Sequence, residues 1–401
     1  MKPLAHSAIE KPSAESAPLV IGYSGGGDST ALLLELALSG RNVIAAIVDH
    51  GLRQGSAQDA ARAAAIAREA GAAAEILTLA WPKGAKPAQQ AARRGRMAAL
   101  AAFARSAGAH AIALAHTRDD QAETVLIRLA AGSSWFGLAG MSAAAPAPLW
   151  PEGRGLTLRR PLLGVSRAAL RARLQAADAS WIEDPANSQT HYARVRARRR
   201  LTEWADAGLG VARWAALADR LAPQAAALDQ AARALIGACV RFEGPTALLD
   251  PHGFSDAGPD VQRRALAALI AAAGASARPP DEAALDRVLG APEQGRTLGG
   301  ARLRPRKGLI EIGRDPGGVA GRSGAPGVAP LDLPAGEEVV WDGRLALKAA
   351  EPGWRAEPGP GGQSPLLRRG NHLESLEDAS KSGAVAAYWV VRERIAHLLW
   401  R

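Results

Sequence analysis

Short apolar runs and longer helical patterns alternate between residues 19 and 130, and this alternation limits the fold more than any other feature of the chain. The apolar runs predict strands over 19–23, 43–48, 74–79 and 111–115. The segments after them predict helices over 29–38, 57–70, 88–106 and 120–130. Continuous apolar strands separated by helices are typical of a parallel sheet covered on both faces. We therefore predict an α/β fold with a doubly wound parallel sheet.

Polar segments follow three of the predicted strands. They are SGGGDS (24–29), VDHGLR (48–53) and AHTRDDQ (115–121). Ligands of parallel α/β sheets bind beyond the carboxyl ends of the strands. We therefore expect the three segments to form one site.

The remainder of the chain divides by composition. An Ala/Leu-rich stretch with helical spacing and then a short strand pair around Gly299 and Gly300 predict a helical middle region. Gly/Pro-rich residues follow and predict a linker before a small C-terminal α+β part. The predicted boundaries are 1–16 for a flexible tail, 17–212 for the α/β domain, 213–312 for a mainly helical accessory domain, 313–337 for the linker and 338–401 for the C-terminal region.

The charge balance is basic and rests on arginine. Lys and Arg number 49 against 39 Asp and Glu, a net charge of +10, and only seven of the 49 are lysine. Residues 151–220 hold thirteen basic and seven acidic side chains. Arginine binds phosphates in a bidentate fork, so nucleic acid is one candidate partner. A G+C-rich genome produces the same bias, and composition alone does not separate the two explanations.

The chain has one cysteine, Cys239, in the apolar run ALIGACV. A single cysteine excludes an internal disulfide framework and any chemistry that needs paired thiols within the chain. The N-terminus lacks the apolar core of a signal peptide, and no window reaches the roughly 18 uncharged apolar residues of a membrane span. We expect a cytoplasmic protein with no membrane partner.

The loop Ser24–Ser29 has the composition of a phosphate cradle. Three successive glycines bring backbone N–H groups close to a ligand, and the next helix presents its positive end. The loop lacks the GK[ST] ending of a Walker A motif. Asp28 would repel a triphosphate unless it holds a bridging Mg²⁺. A plain strand-to-helix turn with a capping aspartate is the structural alternative.

A serine hydrolase is the rival interpretation of the same residues. Gly22–Gly26 fits G-x-S-x-G, with Ser24 as the nucleophile in GYSGG. The histidines that would then be candidate bases are His110, His116, His191, His252, His372 and His397. G-x-S-x-G is the nucleophile elbow of α/β-hydrolases, which usually follows several strands, whereas here it follows the first. The hypothesis also gives no role to Asp28.

The chain resembles the tRNA(Ile)-lysidine synthetases, a family of N-type ATP pyrophosphatases with the PP-loop. SGGGDS matches the superfamily loop SGGxDS, and VDHGLR and HTRDDQAET (116–124) are similar to the next family blocks. The likeness continues through RLAAGSSWFGLAGM (128–141), RPLLGVSR (160–167) and WIEDPANSQTHYARVRAR (181–198). It covers roughly residues 19–201 and implies a Rossmann-like PP-loop domain. Beyond residue 201 only TLGGARL is similar.

The resemblance implies a two-step reaction. ATP adenylates O2 of the wobble cytidine in tRNA(Ile) with a CAU anticodon and releases pyrophosphate, and free L-lysine then attacks carbon 2 and displaces AMP. It implies that ATP and Mg²⁺ are used, with Asp28 as the metal contact. The implied ATP-binding residues are Ser24, Gly25, Gly26, Gly27, Asp28 and Ser29.

Acidic residues after the fourth strand are candidates for lysine binding and catalysis. They are Asp119, Asp120 and Glu123, with His116 beside them. Asp120 and Glu123, three residues apart, share a helix face and suit the ammonium groups of lysine. Acidic residues also stabilise any helix N-terminus, which is the structural alternative. We favour a positioning role for His116 over a metal-ligand role with Asp119, because no cysteine or second nearby histidine completes a zinc set.

Two further groups of residues are candidates for binding. Asp49 and His50 border an adenosine pocket in one interpretation and form an ordinary turn in the other. Four arginines are the candidate tRNA contacts, and they are Arg93, Arg96, Arg194 and Arg198. Met97 stands where the family commonly has an aromatic residue, so a stacking contact there is not predicted. A solvated charged face is the alternative for these arginines.

Other function classes fit less well. A PP-loop tRNA thiolase needs paired or clustered thiols, and Cys239 is alone. An amidotransferase-type synthetase needs an ammonia-producing domain, and no such domain is visible. A non-catalytic RNA-binding protein would tolerate the loss of Asp28, Asp120 or Glu123, and all three residues are present, which disfavours this class. The oligomeric state stays open, with a homodimer among the alternatives.

Overall fold

The structure is a computed structural model, and it describes residues 17–81, 88–183, 193–322, 326–362 and 364–400. The predicted tail 1–16 and His191 lie outside the described residues. The chain divides into two compact units, Met1–Ala225 and Ala226–Arg401.

The first unit contains most of the predicted α/β elements. In chain order its elements are β1 (Leu19–Tyr23), α1 (Gly27–Leu38), β2 (Val43–Asp49), α2 (Ser56–Glu69), β3 (Ala73–Thr78), α3 (Gln89–Ser106), β4 (Ala111–Ala113), α4 (Arg118–Ala130), α5 (Trp135–Leu138), β5 (Ala144–Pro146), β6 (Thr157–Arg159), α6 (Arg167–Ala176) and α7 (Ala193–Glu203). Helix α8 (Val211–Cys239) contains the division between the units.

The first unit is built on a six-stranded sheet with the order β3-β2-β1-β4-β6-β5. Strands β1, β2, β3, β4 and β6 are parallel, and only the edge strand β5 is antiparallel. Successive residues of β1 face opposite sides. Ile21 packs with Leu32 of α1 on one face, while Val20 packs with Leu100 of α3 on the other. Helices therefore cover both faces, which confirms the predicted doubly wound sheet.

The second unit is richer in strands than its composition predicted. Its elements after α8 are β7 (Val240–Glu243), β8 (Thr246–Leu249), α9 (Pro251–Ser255), α10 (Pro259–Ala273), α11 (Glu282–Leu289), β9 (Arg296–Leu298), β10 (Ala301–Arg306), β11 (Leu309–Arg314), α12 (Pro316–Ala320), β12 (Leu331–Leu333), β13 (Glu338–Trp341), β14 (Leu345–Ala349), β15 (Trp354–Pro358), β16 (Pro365–Arg369), β17 (His372–Ser375), α13 (Leu376–Lys381), β18 (Val385–Trp389) and α14 (Val391–Leu398). They form sheets ordered β7-β8-β11-β10-β9, β12-β15-β16-β17 and β13-β14-β18.

Two segments of the second unit differ from their predictions. The predicted helical stretch is interrupted by the hairpin β7–β8, which turns at Gly244 with φ +57°. Residues 313–337, predicted as a linker, contain the end of β11 and the whole of α12 and β12, and Val319 there is fully buried. The glycines and prolines of this segment therefore lie in and between short packed elements, and its described part is not a free connector.

Candidate active site

The sheet order places the three predicted polar segments side by side. Strand β1 lies between β2 and β4. After β1 the chain continues to β2 on one side, whereas after β4 it continues towards β5 and β6 on the other side. This point is the topological switch at which doubly wound sheets bind ligands. The loop after β1, the end of β2 and the start of α4 therefore share one edge of the sheet.

The glycine loop is held tightly beneath a neighbouring segment. Gly25 has φ +77°, and a Cβ there would lie 2.9 Å from the Cβ of Ala63 and 2.9 Å from Cδ1 of Ile182. The backbone N–H of Ile182 donates to the carbonyl of Gly25 at 2.8 Å. Position 25 therefore requires glycine for both its conformation and its space.

Helix α1 begins without a side-chain cap. Its N-cap residue is Gly26, and no described side chain caps the N–H groups of its first turn. Uncapped N–H groups at a helix N-terminus form an anion-binding position. The hydroxyls of Ser24 and Ser29 lie 3.1 Å apart and form a hydrogen bond with each other rather than with these N–H groups.

The contacts of Ser24 do not support the hydrolase hypothesis. Within the described ranges its hydroxyl contacts Ser29 Oγ and, at 3.4 Å, the N–H of Gly26, and no histidine approaches it. A nucleophilic serine needs a general base within hydrogen-bond reach. His191, one of the candidate bases, lies outside the described residues.

Arg167 joins four acidic residues at this edge of the sheet. Its guanidinium contacts Asp28 (Nε to Oδ2, 3.0 Å), Asp120 (Nη2 to Oδ1, 3.1 Å) and Glu123 (Nη1 to Oε1, 3.4 Å). Its backbone N–H donates to Asp119 Oδ2 at 2.9 Å. Burial alone would lower the pKa of Arg167, but Asp120, Asp28 and Glu123 raise it above its ordinary value.

Sequence reasoning did not select Arg167. The residue ends the block RPLLGVSR, which carries part of the family resemblance. The signal available was an arginine within a family block, at the start of a helix capped by Ser166, whose Oγ accepts from Ala169 N.

Asp28 combines this ion pair with an exposed oxygen. Burial raises its pKa, and the Arg167 guanidinium opposes that increase. Its Oδ2 is the atom that accepts from Arg167. Its Oδ1 accepts no hydrogen bond from the described part of the chain, so it is available to a cation.

Asp120 has a structural task that the sequence analysis gave only as the alternative. Its Oδ2 accepts from the N–H of Thr117 at 2.9 Å and from the Thr117 hydroxyl at 2.8 Å. The bond from Thr117 N–H and the reciprocal bond from Asp120 N–H to Thr117 Oγ1, at 3.3 Å, form the capping box of α4. Burial alone would raise the pKa of Asp120, but Arg167 and Thr117 hold it below its ordinary value. Both oxygens of Asp120 are therefore engaged by the protein.

Glu123 has a buried carboxylate oxygen that accepts no hydrogen bond from any described residue. It is 1% exposed, and its Oε1 contacts Arg198 Nε at 3.0 Å as well as Arg167. Its Oε2 is buried and has no hydrogen-bond partner among the described residues. An unpaired buried carboxylate oxygen is unfavourable unless a ligand donates to it.

His116 is held as a neutral imidazole. Burial and the neighbouring Arg160 lower its pKa to about 3, and Asp120 only partly opposes them. Its Nδ1 accepts from Arg160 Nε at 3.3 Å. The remaining proton is therefore on Nε2, which suits a positioning role.

The end of β2 mixes ordinary and unusual features. Asp49 Oδ1 accepts from the N–H of Gly51 at 2.9 Å, as an aspartate in a plain turn does. His50 differs, because its Nδ1 is buried without a partner within the described ranges. Burial and Arg96 lower the pKa of His50.

The four candidate arginines separate into two kinds. Three of them lie close enough to repel one another: Arg93 and Arg96 of α3 and Arg194 of α7. Burial is the larger cause that lowers the pKa of Arg96, and the repulsion from Arg93 and Arg194 lowers it further. None of the three forms an ion pair with a described acidic residue. Arg198 instead pairs with Glu123, so the structure ties it to the acidic cluster.

Comparison with known proteins identifies the family. The PP-loop domain family (ATP_bind_3) matches residues 3–205. A tRNA(Ile)-lysidine synthase from Hyphomonas neptunium is 38% identical over 321 residues, covering 77% of this chain and 85% of that protein. The chain belongs to the tRNA(Ile)-lysidine synthase family. A member of this synthase family from Caulobacter vibrioides is 39% identical, covering 84% of this chain and 76% of its own length. A third, from Methylobacterium sp., is 43% identical, covering 74% and 89%.

Family membership confirms the resemblance on which the site was predicted. The synthase family and its PP-loop domain support the use of ATP. None of the helices within the described ranges combines the length and apolar character that crossing a bilayer requires.

Proposed function

We propose that this protein uses ATP to attach L-lysine to carbon 2 of the wobble cytidine of tRNA(Ile) with a CAU anticodon. O2 of cytidine attacks the α-phosphate of ATP and pyrophosphate leaves; the lysine amine then bonds to carbon 2, loses a proton, and AMP leaves. The similar proteins are named tRNA(Ile)-lysidine synthase. The observation that carries the proposal is the unpaired Oε2 of buried Glu123, joined through Arg167 to the glycine loop.

The glycine loop suits the phosphates of ATP. The uncapped first turn of α1 offers N–H donors to a leaving pyrophosphate, and such preorganised donors stabilise developing negative charge. We assign this role to the loop residues Ser24–Ser29.

Mg²⁺ fits beside the same loop. Asp28 Oδ1 is the protein atom that we propose would hold it, because Mg²⁺ commonly binds through one or two carboxylates and substrate phosphates, and the ion would neutralise phosphate charge there. Among the described residues, no group of three His, Cys, Asp or Glu side chains could hold a metal ion alone. That finding agrees with a metal that arrives with ATP.

The acidic cluster suits free lysine. Glu123 Oε2 is the atom that we assign to one ammonium group of the substrate. Asp119 has one oxygen engaged by Arg167 and completes the acidic wall, while His116, neutral beside Arg160, positions the reacting groups. Asp120 supports this wall through the capping box of α4.

The arginine cluster suits the tRNA backbone. Arg93, Arg96 and Arg194 repel one another and have no described acidic partner, so a phosphate between them relieves the repulsion. His50 Nδ1 is the group that we assign to adenosine, with Asp49 shaping the turn. Since ATP and tRNA are cytoplasmic, we assign the protein to the cytoplasm.

The direct test supplies the full chain with ATP, Mg²⁺, radiolabelled lysine and unmodified tRNA(Ile) carrying CAU, and follows label in RNA and pyrophosphate. We expect both products in equal amounts, and neither with a tRNA whose wobble base is not cytidine. Pyrophosphate release with no lysine in RNA would point to another PP-loop tRNA-modifying enzyme. Cleavage of an ester substrate without pyrophosphate would restore the hydrolase hypothesis.

A further inference from the structure

Arg167 contacts the glycine-loop helix α1 and the acidic helix α4 together. It approaches Asp28 of α1 with Nε, and Asp120 and Glu123 of α4 with its two terminal nitrogens. Three different nitrogens thus serve three different carboxylates. A lysine ammonium is a single point charge and lacks this planar fork, so it cannot reproduce the arrangement.

The contacts also leave one oxygen available on two of these acids. Asp28 gives only Oδ2 to Arg167, and Glu123 gives only Oε1 to Arg167 and Arg198. The contact of Asp28 with Arg167 uses Oδ2, which leaves its Oδ1 without a donor among the described residues. Glu123 Oε2 is buried and has no hydrogen-bond partner among them. One guanidinium therefore fixes the orientation of two carboxylates, Asp28 and Glu123, that each have an oxygen left for a cationic ligand.

The charges of the cluster require such ligands. Four carboxylates, on Asp28, Asp119, Asp120 and Glu123, face two guanidiniums, on Arg167 and Arg198. Among these six groups the carboxylates exceed the guanidiniums by two in a partly buried setting, where uncompensated charge is costly. Mg²⁺ at Asp28 and an ammonium group at Glu123 are cations of the kind that would compensate them.

We infer that Arg167 is a positioning residue that couples the metal–ATP position at Asp28 to the lysine position at Glu123. This inference rests on the proposed function. In this proposal Arg167 contacts neither substrate. It holds the carboxylates of Asp28 and Glu123 at opposite ends of one planar guanidinium, so a change in the position of one carboxylate also changes the position of the other. Loss of the fork weakens the use of Mg²⁺ and of lysine together.

The test compares R167Q and R167K with wild type and with the matched control R173K. Arg173 lies on the same helix α6 and pairs with the buried Glu35 of α1, away from the cluster. Two constants are measured: the Mg²⁺ concentration that half-saturates tRNA-dependent pyrophosphate release, and the KM for lysine. Thermal unfolding is recorded for each variant.

In both Arg167 variants we expect each constant to rise about tenfold or more, the scale of one lost charged hydrogen bond. R173K should lower Tm and leave both constants at the wild-type value. Wild-type constants in R167K would show that charge alone suffices and would overturn the positioning role. A rise in only one constant would overturn the coupling.

A second measurement needs no change at Arg167. Lysine binding raises the Tm of the wild type by mass action. D28N removes one anchor of Arg167, although Asp28 does not contact lysine in this proposal, so the lysine-induced shift should shrink in D28N. An unchanged shift would overturn the inference. If wild type neither incorporates lysine nor responds to it in Tm, the proposed function itself fails; normal wild-type activity with unaffected variants contradicts only the role of Arg167.

Discussion

Asp28 and Arg167 lie 139 residues apart in the chain and meet at 3.0 Å, where the glycine loop borders the acidic helix. The contact brings a carboxylate from the first helix of the sheet to an arginine from the sixth. It leaves the second oxygen of Asp28 for a cation. This geometry makes Asp28 the first residue to test.

Asp28→Asn should reduce tRNA-dependent pyrophosphate release about 100-fold or more, the usual scale for losing one electrostatic group of an active site. The amide is neutral and is a much weaker ligand for Mg²⁺ than a carboxylate. Binding of tRNA, measured by filter retention, should persist. Asp59→Asn is the matched control, because Asp59 also lies in the first turn of a helix and pairs with an arginine, Arg53. Unchanged turnover in D28N would refute the metal assignment.

Glu123→Gln and Asp120→Asn should separate lysine binding from helix stability. E123Q should raise the KM for lysine about tenfold or more, because a charged hydrogen bond to the substrate is lost. D120N should lower the free energy of unfolding by about 1–2 kcal/mol through the damaged cap, and should affect adenylation and lysine transfer alike. Steady-state kinetics and urea denaturation measure the two effects. Glu203→Gln, at an exposed ion pair on α7, is the control.

Arg96→Gln should weaken tRNA binding and reduce the slope of log K against log salt by about one, as expected for one phosphate contact. Arg94→Gln on the same helix is the control, since Arg94 is exposed and pairs with Glu152. Equal salt slopes for R96Q and wild type would remove Arg96 from the tRNA surface.

Gly25→Ala should cost at least about 1 kcal/mol more than Gly71→Ala, the scale of overpacking by one methyl group. Both glycines have positive φ, +77° and +82°, so both substitutions carry the same backbone strain. Only the Cβ at position 25 meets neighbours at 2.9 Å, whereas nothing lies within 4 Å of position 71. Chemical denaturation of the two variants isolates the contact; equal costs would mean that the segment above the loop yields to the added methyl.

His116 should make stability fall in acid. Burial and Arg160 lower its folded pKa to about 3, and the unfolded value is about 6.5. Between pH 6.5 and pH 3 the imidazole is protonated in the unfolded chain and neutral in the folded chain. The contribution of His116 to the free energy of unfolding is therefore fully present above pH 6.5 and is lost as the pH falls toward 3. His116→Asn should make this fall shallower by at most about 1.4 kcal/mol per pH unit. Denaturation at several pH values measures it, with exposed His110→Asn expected to match wild type.

The parts of the fold predicted correctly are those with a local signal. Periodicity located β1, α1 and β2 to within about two residues, because their apolar faces recur at fixed spacing. The hairpin β7–β8 was missed since its four-residue strands lie among alanine-rich helices, which dominate any window. Short strands paired to distant partners have little local signature.

Within the site, the sequence indicated which residues carry the chemistry better than which contacts they make. Thr117 and Asp120 have the T-x-x-D spacing of a capping box, so the capping role of Asp120 was readable, but the alternative considered was only its charge at the helix N-terminus. The link from Arg167 to Asp28 had no local signal, because it depends on how β1, β4 and α6 pack in three dimensions. The pairing of Arg198 with Glu123 depends in the same way on how α7 packs against α4.

The contrast between the two helix starts gives the site a direction. Helix α4 satisfies its own first turn through Thr117 and Asp120, whereas α1 begins at Gly26 with no side chain to do so. We therefore expect an anion at this edge to be drawn to the free N–H groups of α1, with a cation beside Asp28, and to be repelled by the carboxylates of α4. A substrate with a negative and a positive end is then expected to dock in one polarity, which would set the orientation of the reactants before any bond is made.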